Sequence, residues 1–171
     1  GPGYGWDKFP GRREAISEAI RSMLKAHPEV DPKRIVWLGF SAGTYVCCED
    51  GGALAGDLCH GIILTGPNIA QIEPPLREGQ ASPRVCLFAG TEDPFAQLGQ
   101  LRRDLARSKA VASVNVLDGL PHGEPASYHI GGSIRWVLEG NGGNEENRSG
   151  MMPPKVSDRG VRRISISGIG P

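Results

Sequence analysis

Three short, unbroken apolar runs and a fourth interrupted by one polar residue, set among helix-like stretches, restrict this chain more than any other feature. Ile35-Val36-Trp37-Leu38, Ile62-Ile63-Leu64, Val85-Cys86-Leu87-Phe88 and, more weakly, Val114-Asn115-Val116-Leu117 are the runs. None alternates apolar with polar as a strand with one wet face would, so each reads as a strand covered on both faces. Ile16, Ala19, Ile20, Met23 and Leu24 recur at helical spacing from about Arg12 to His27, a stretch that Pro28 ends. Leu98, Leu101 and Leu105 mark an amphipathic helix between the third and fourth runs. Ile130, Ile134, Val137 and Leu138 mark another after Pro125, weakened by Gly131 and Gly132 at about 1 kcal/mol each relative to alanine. Strands alternating with helices predict an α/β fold of about four parallel strands flanked by helices. In such a sheet, ligands bind beyond the carboxyl ends of the strands.

The 171 residues suffice for one domain with a core that needs no disulfide or metal staple. Lys+Arg and Asp+Glu both total 19, which removes the electrostatic basis for binding nucleic acid or an anionic membrane. The longest apolar runs fall far short of the ~20 residues that span a bilayer, so a soluble protein is expected. Glycine (25) and proline (14) are in excess, partly because Gly140 to Pro171 is turn-forming and polar without sustained periodicity. That stretch reads as a flexible tail on a domain of residues 1–139. Cys47, Cys48, Cys59 and Cys86 read as reduced thiols. Adjacent Cys47 and Cys48, with Cys59 and His60, lack the spacing that lets two sulfurs grip one zinc, so no metal site is expected. No charged segment followed by an apolar one opens the chain, which favours a cytoplasmic protein. The first residue is Gly1 and not Met, as in a cleaved chain or a segment of a longer polypeptide, and that leaves the compartment open.

Directly after the first apolar run stands Gly39-Phe40-Ser41-Ala42-Gly43, a G-x-S-x-G pentapeptide. Alone it is weak, since about a quarter of shuffled chains of this composition would contain one. Its setting is more informative: a buried strand precedes it, and Thr44 to Glu49 can form a short helix. In such a strand–turn–helix the serine occupies a strained backbone conformation, and the flanking glycines avoid collisions of a Cβ with neighbouring elements. A serine hydroxyl needs a base to take its proton, and the base needs a carboxylate to hold its tautomer. Asp93 follows the third run in Gly90-Thr91-Glu92-Asp93-Pro94, and His122 follows the fourth in Gly119-Leu120-Pro121-His122-Gly123. Three strand-end loops on one sheet edge can converge. Glu92 and Asp118 rival Asp93. His129, His60 and His27 rival His122, but His129 falls within the last helix, His27 ends the first, and His60 precedes a strand at the opposite edge.

The stretch VDPKRIVWLGFSAG ending at Gly43, with GTEDP at 90–94 and GLPHG at 119–123, resembles the C-terminal half of a serine α/β-hydrolase. The nearest flavours are the small carboxylesterases, dienelactone-hydrolase-like proteins and polyhydroxyalkanoate-depolymerase-like or feruloyl-esterase-like enzymes. The resemblance covers roughly residues 11–139. It implies Ser41 as nucleophile on a nucleophile elbow, Asp93 as acid, His122 as base and the Ala42 N–H as an oxyanion donor. The implied reaction is cofactor-free hydrolysis of a small-molecule ester through an acyl-enzyme. A thioesterase or acyltransferase would use the same three residues.

The departures matter equally. The family's sheet usually has eight strands, and its second oxyanion donor comes from the half that has no counterpart here. Losing one such donor costs ~2.7–4 kcal/mol of transition-state stabilisation. The Ile35–Leu38 strand would also present an open apolar edge. The chain is therefore expected to be part of a longer protein or to pair that edge with another chain, self-association included. A catalytically weak or inactive binding module is the alternative. Gly3 to Asp7 is a candidate remnant of a loop over the site, and residues 68–83 either a plain connection or a short cap.

Overall fold

In a computed structural model, which describes residues 9–67, 83–96, 112–123, 130–139 and 161–164, the four apolar runs are the strands of one sheet. They are β1 (Val36–Phe40), β2 (Gly61–Thr65), β3 (Arg84–Gly90) and β4 (Ala112–Leu117), in that spatial order and all parallel. The register pairs Phe40 with Thr65 and Thr65 with Phe88, so the carboxyl ends of β1, β2 and β3 lie side by side. Gly90 pairs with Leu117, which brings the end of β4 to the same edge. The fold is thus a four-stranded parallel sheet flanked by helices, as the runs imply.

Helices cover both faces. Helix α1 (Arg12–Ala26) lies on the face that presents Trp37, Ile62, Leu64, Val85 and Leu87, and packs there through Ile16, Ile20 and Leu24. Ala19 and Met23, expected on the buried stripe, are exposed. The helix is turned because Arg12, buried at its start, pairs with Asp50 and Glu49 (2.7 Å to Glu49), while Arg13 reaches Asp50 at 3.0 Å. Hydrogen bonding to Asp50, opposed by desolvation, leaves the Arg12 guanidinium more firmly protonated than a free one. The other face carries Ile63, Cys86, Phe88 and Leu117 beneath α3 (Ile130–Glu139). Among its described side chains Val137 and Ser133 are buried, whereas Ile134, expected inside, is 39% exposed. Gly61 has no side chain because a Cβ there would run into Val137.

The segment read as a tail supplies a fifth strand, β5 (Val161–Ile164), antiparallel to β4. The physical reason is the row of β4 N–H and C=O groups that would otherwise go unpaired. The rest of 140–171 lies outside the described residues. So do the helix expected over Leu98–Leu105, the Gly3–Asp7 loop and the connection over residues 68–82. Among the described residues no strand covers the outer edge of β1, and Leu38 on that strand is 51% exposed. No helix of the described residues is long and apolar enough to cross a membrane.

Candidate active site

Each strand that reaches the carboxyl edge delivers one chemically distinct loop. After β1 the chain turns at Ser41 into α2 (Gly43–Val46), which continues as a π-helical turn over Cys47–Gly51. Ser41 has φ 51°, a left-handed conformation in which it is alone among the described non-glycine residues. Such a backbone costs about 1–3 kcal/mol and persists only where its surroundings over-determine it. Here the Ser41 N–H donates to the Thr65 carbonyl at 3.1 Å, and the Ser41 carbonyl accepts from the Thr44 N–H (3.0 Å) and hydroxyl (2.6 Å). A Cβ on Gly39 would sit 2.7 Å from the Gly43 carbonyl oxygen and 2.8 Å from Cys47 Sγ. A Cβ on Gly43 would meet nothing within 4 Å. Close packing therefore accounts for Gly39 but does not account for Gly43, contrary to the expectation for both flanking glycines.

The loop after β3 brings Asp93 inward while its neighbour Glu92 stays in solvent. The Asp93 side chain is fully buried, and its Oδ1 accepts the Phe95 backbone N–H at 2.8 Å. The loop after β4 carries His122 back across the sheet edge. Its Nδ1 lies 2.8 Å from Asp93 Oδ2, and its Nε2 lies 2.8 Å from Ser41 Oγ. A carboxylate accepts and does not donate, so Nδ1 bears the imidazole proton and Nε2 faces the serine hydroxyl as acceptor. The three residues singled out from sequence are thus brought into one hydrogen-bonded line. The rivals are elsewhere: His27 is exposed beside Glu29, and His60 precedes β2 at the amino end. His129 lies outside the described residues. The Ala42 N–H makes no backbone hydrogen bond among the described residues, and Ala42 is exposed beside Ser41.

Two glycines with no assigned role from sequence make the convergence sterically feasible. His122 follows β4 but must reach a serine at the end of β1, across two intervening strands at about 4.8 Å each. Its loop lies over the ends of β3 and β2, where Gly90 and Gly66 stand. A Cβ at Gly90 would collide with the Leu120 carbonyl. At Gly66, where φ is 52°, a Cβ would fall 2.8 Å from the His122 carbonyl oxygen and 3.3 Å from its Nδ1. The loop is fastened by Glu92 N–H to the Leu120 carbonyl (3.2 Å), Thr91 N–H to the Leu117 carbonyl (3.0 Å) and Gly119 N–H to Thr91 Oγ1 (2.8 Å). A glycine at or just after each of the first three strands was the available signal. Its meaning depends on which backbone crosses above it.

Two aromatic rings flank the imidazole. Phe40 lies at 5.2 Å between ring centroids and Phe95 at 4.9 Å, the latter edge-on. The thiols of Cys47, Cys48 and Cys59 are buried beneath the turn, free, and each pushed up to about 12, first by desolvation. They are protonated and poor ligands or nucleophiles at neutral pH. Among the described residues no cluster of three or more His, Cys, Asp or Glu could hold a metal ion.

No protein-family profile and no curated protein matches the chain. Solved structures do, the three described next with TM-scores below 0.5. They include the Bacillus cereus carboxylesterase (21% identity, 72% of this chain and 56% of that one, TM-score 0.44). An acetyl ester-xyloside bifunctional hydrolase from Caldicellulosiruptor lactoaceticus matches at 16% identity over 78% of this chain and 65% of that one, TM-score 0.47. A single-residue variant of Arabidopsis thaliana SOBER1 matches at 13% identity over 74% and 60%, TM-score 0.48. This chain spans 56–65% of the length of those three structures. At such identities the likeness is one of fold; what Ser41, Asp93 and His122 can do rests on their own geometry.

Proposed function

We propose that this chain is a serine hydrolase of the esterase type. The observation that supports it most is the unbroken run Ser41 Oγ to His122 Nε2, then His122 Nδ1 to Asp93 Oδ2, at 2.8 Å in each step. In this reading Ser41 Oγ attacks the acyl carbon of an ester as its proton passes to His122 Nε2. The carbonyl oxygen gathers negative charge and accepts the Ala42 N–H, which makes no backbone hydrogen bond among the described residues. His122 then gives the proton to the alcohol oxygen as the C–O bond breaks, leaving an acyl ester on Ser41. Water, deprotonated by the same nitrogen, attacks that ester, and the proton returns to Ser41 Oγ as the carboxylic acid departs. Asp93, buried and pinned by the Phe95 N–H, stabilises the imidazolium in both halves. No step requires a metal or organic cofactor.

Hydrolysis of p-nitrophenyl acetate tests the reading. Ser41→Ala and His122→Ala should each cut turnover by orders of magnitude, and the double variant should be no slower than either, because the residues act as a unit. Turnover near the wild-type rate after both substitutions would place the chemistry elsewhere.

The β1 edge, which no strand covers among the described residues, and the exposed Leu38 favour one second reading, a catalytically inactive binding or self-associating module. A well-folded wild-type chain with no turnover, eluting as an oligomer, would favour it.

A further inference from the structure

Few large apolar side chains stand exposed among the described residues, and two of them face the same imidazole. Phe40 is 41% exposed and Phe95 49%, with ring centroids 5.2 Å and 4.9 Å from that of His122. Phe40 is tilted 36° to the imidazole, and Phe95 meets it at 67°, so each spends one side on His122 and leaves another open. The Phe95 backbone is tied to Asp93 through its N–H, and the Phe40 ring lies over Gly66, where Cε2 would be 3.1 Å from an added Cβ.

Their position relative to the reacting atoms decides which part of a substrate they meet. The acyl carbon must approach Ser41 Oγ with its oxygen toward the Ala42 N–H. The departing alcohol oxygen must approach His122 Nε2 to receive the proton. Groups packed against the imidazole therefore border the alcohol side. Leu38, half-exposed two residues before Phe40, lies on the same face of β1 and lengthens the apolar surface by about 7 Å.

We propose that Phe40 and Phe95, extended by Leu38, form an alcohol-side subsite, making the protein selective for esters of apolar, ring-bearing alcohols over those of small ones. The inference rests on the hydrolase reading and adds the substrate class to it. A hydrophobic contact of this kind is worth about 10-fold or more in kcat/KM.

The test measures kcat/KM for benzyl acetate and methyl acetate with wild type, Phe40→Ala, Phe95→Ala and Phe95→Leu. Labelling of Ser41 by a fluorophosphonate serves as the check on the site itself. The wild type should prefer benzyl acetate, each alanine variant should lower the benzyl-to-methyl ratio about 10-fold, and Phe95→Leu should retain most of it. If the rings merely buttress His122, both esters lose alike and the ratio holds, which overturns the subsite while labelling upholds the hydrolase. Selectivity that tracks acyl length in a series of methyl esters, and not the alcohol, also overturns it. Absence of labelling in folded wild type ends the hydrolase reading and this inference together.

Discussion

Gly66 matters to the site although it carries no reactive atom. Its left-handed φ and the 2.8 Å between a notional Cβ and the His122 carbonyl leave alanine nowhere to go without moving the histidine loop. Gly66→Ala should lower kcat/KM about 100-fold, as displacements of roughly 1 Å do, while the circular-dichroism spectrum stays native. Unchanged kinetics would show that the loop does not depend on this close approach. The buried thiols give a second prediction at this scale. Cys47, Cys48 and Cys59 are held protonated up to about 12 in the fold but ionise near their ordinary range once exposed. The unfolded state thus binds fewer protons above about pH 9, and stability should fall as pH rises through that window toward 12. Urea midpoints that do not move between pH 8 and about pH 11 would contradict the burial. Ser41, Asp93 and His122 were legible as candidates because nucleophilic catalysis admits few residue types, and each stood just past an apolar run. Gly66, Gly90 and Phe95 were not, since their roles depend on which atoms of a distant loop come to rest against them.

At the scale of elements, the contact between α1 and the turn after α2 is a buried ion-pair cluster under the serine-bearing turn. Asp50 is 2% exposed and serves both Arg12 and Arg13. Asp50→Ala would take from buried Arg12 its Asp50 bonds while leaving it Glu49, and should cost roughly 1–3 kcal/mol by urea denaturation. Replacing Arg12 and Asp50 together with Met and Leu should recover most of that loss, because the charges left behind, Arg13 and Glu49, are part-exposed. A single variant of wild-type stability would mean the cluster is incidental. This contact also explains why the periodicity of α1 located the helix and put Ile16, Ile20 and Leu24 on its packed side but wrongly added Ala19 and Met23. Arg12 is buried by a polar pairing that apolar spacing does not reveal. On α3, Ser133 is buried within 3.5 Å of Cys86 Sγ while Ile134 is exposed, again because a specific contact outweighs the average hydropathy of a face.

Across the whole molecule, the parallel sheet was readable because strands covered on both faces leave unbroken apolar runs. β5 was not, since four residues in a polar stretch carry no such mark and gain their place from the free edge of β4. Among the described residues no strand covers the opposite edge, β1, where Leu38 is exposed, and open apolar edges recruit further strands. Sedimentation velocity should therefore show concentration-dependent self-association that Leu38→Lys weakens; a monomer at every concentration would contradict this. The central claim, that one line of hydrogen bonds makes Ser41 a nucleophile, is tested most directly by treating the folded chain with a fluorophosphonate and mapping the adduct by peptide mass spectrometry. The account predicts a single adduct on Ser41, absent in His122→Ala. An adduct elsewhere, or none on a protein whose fold is intact, would contradict it.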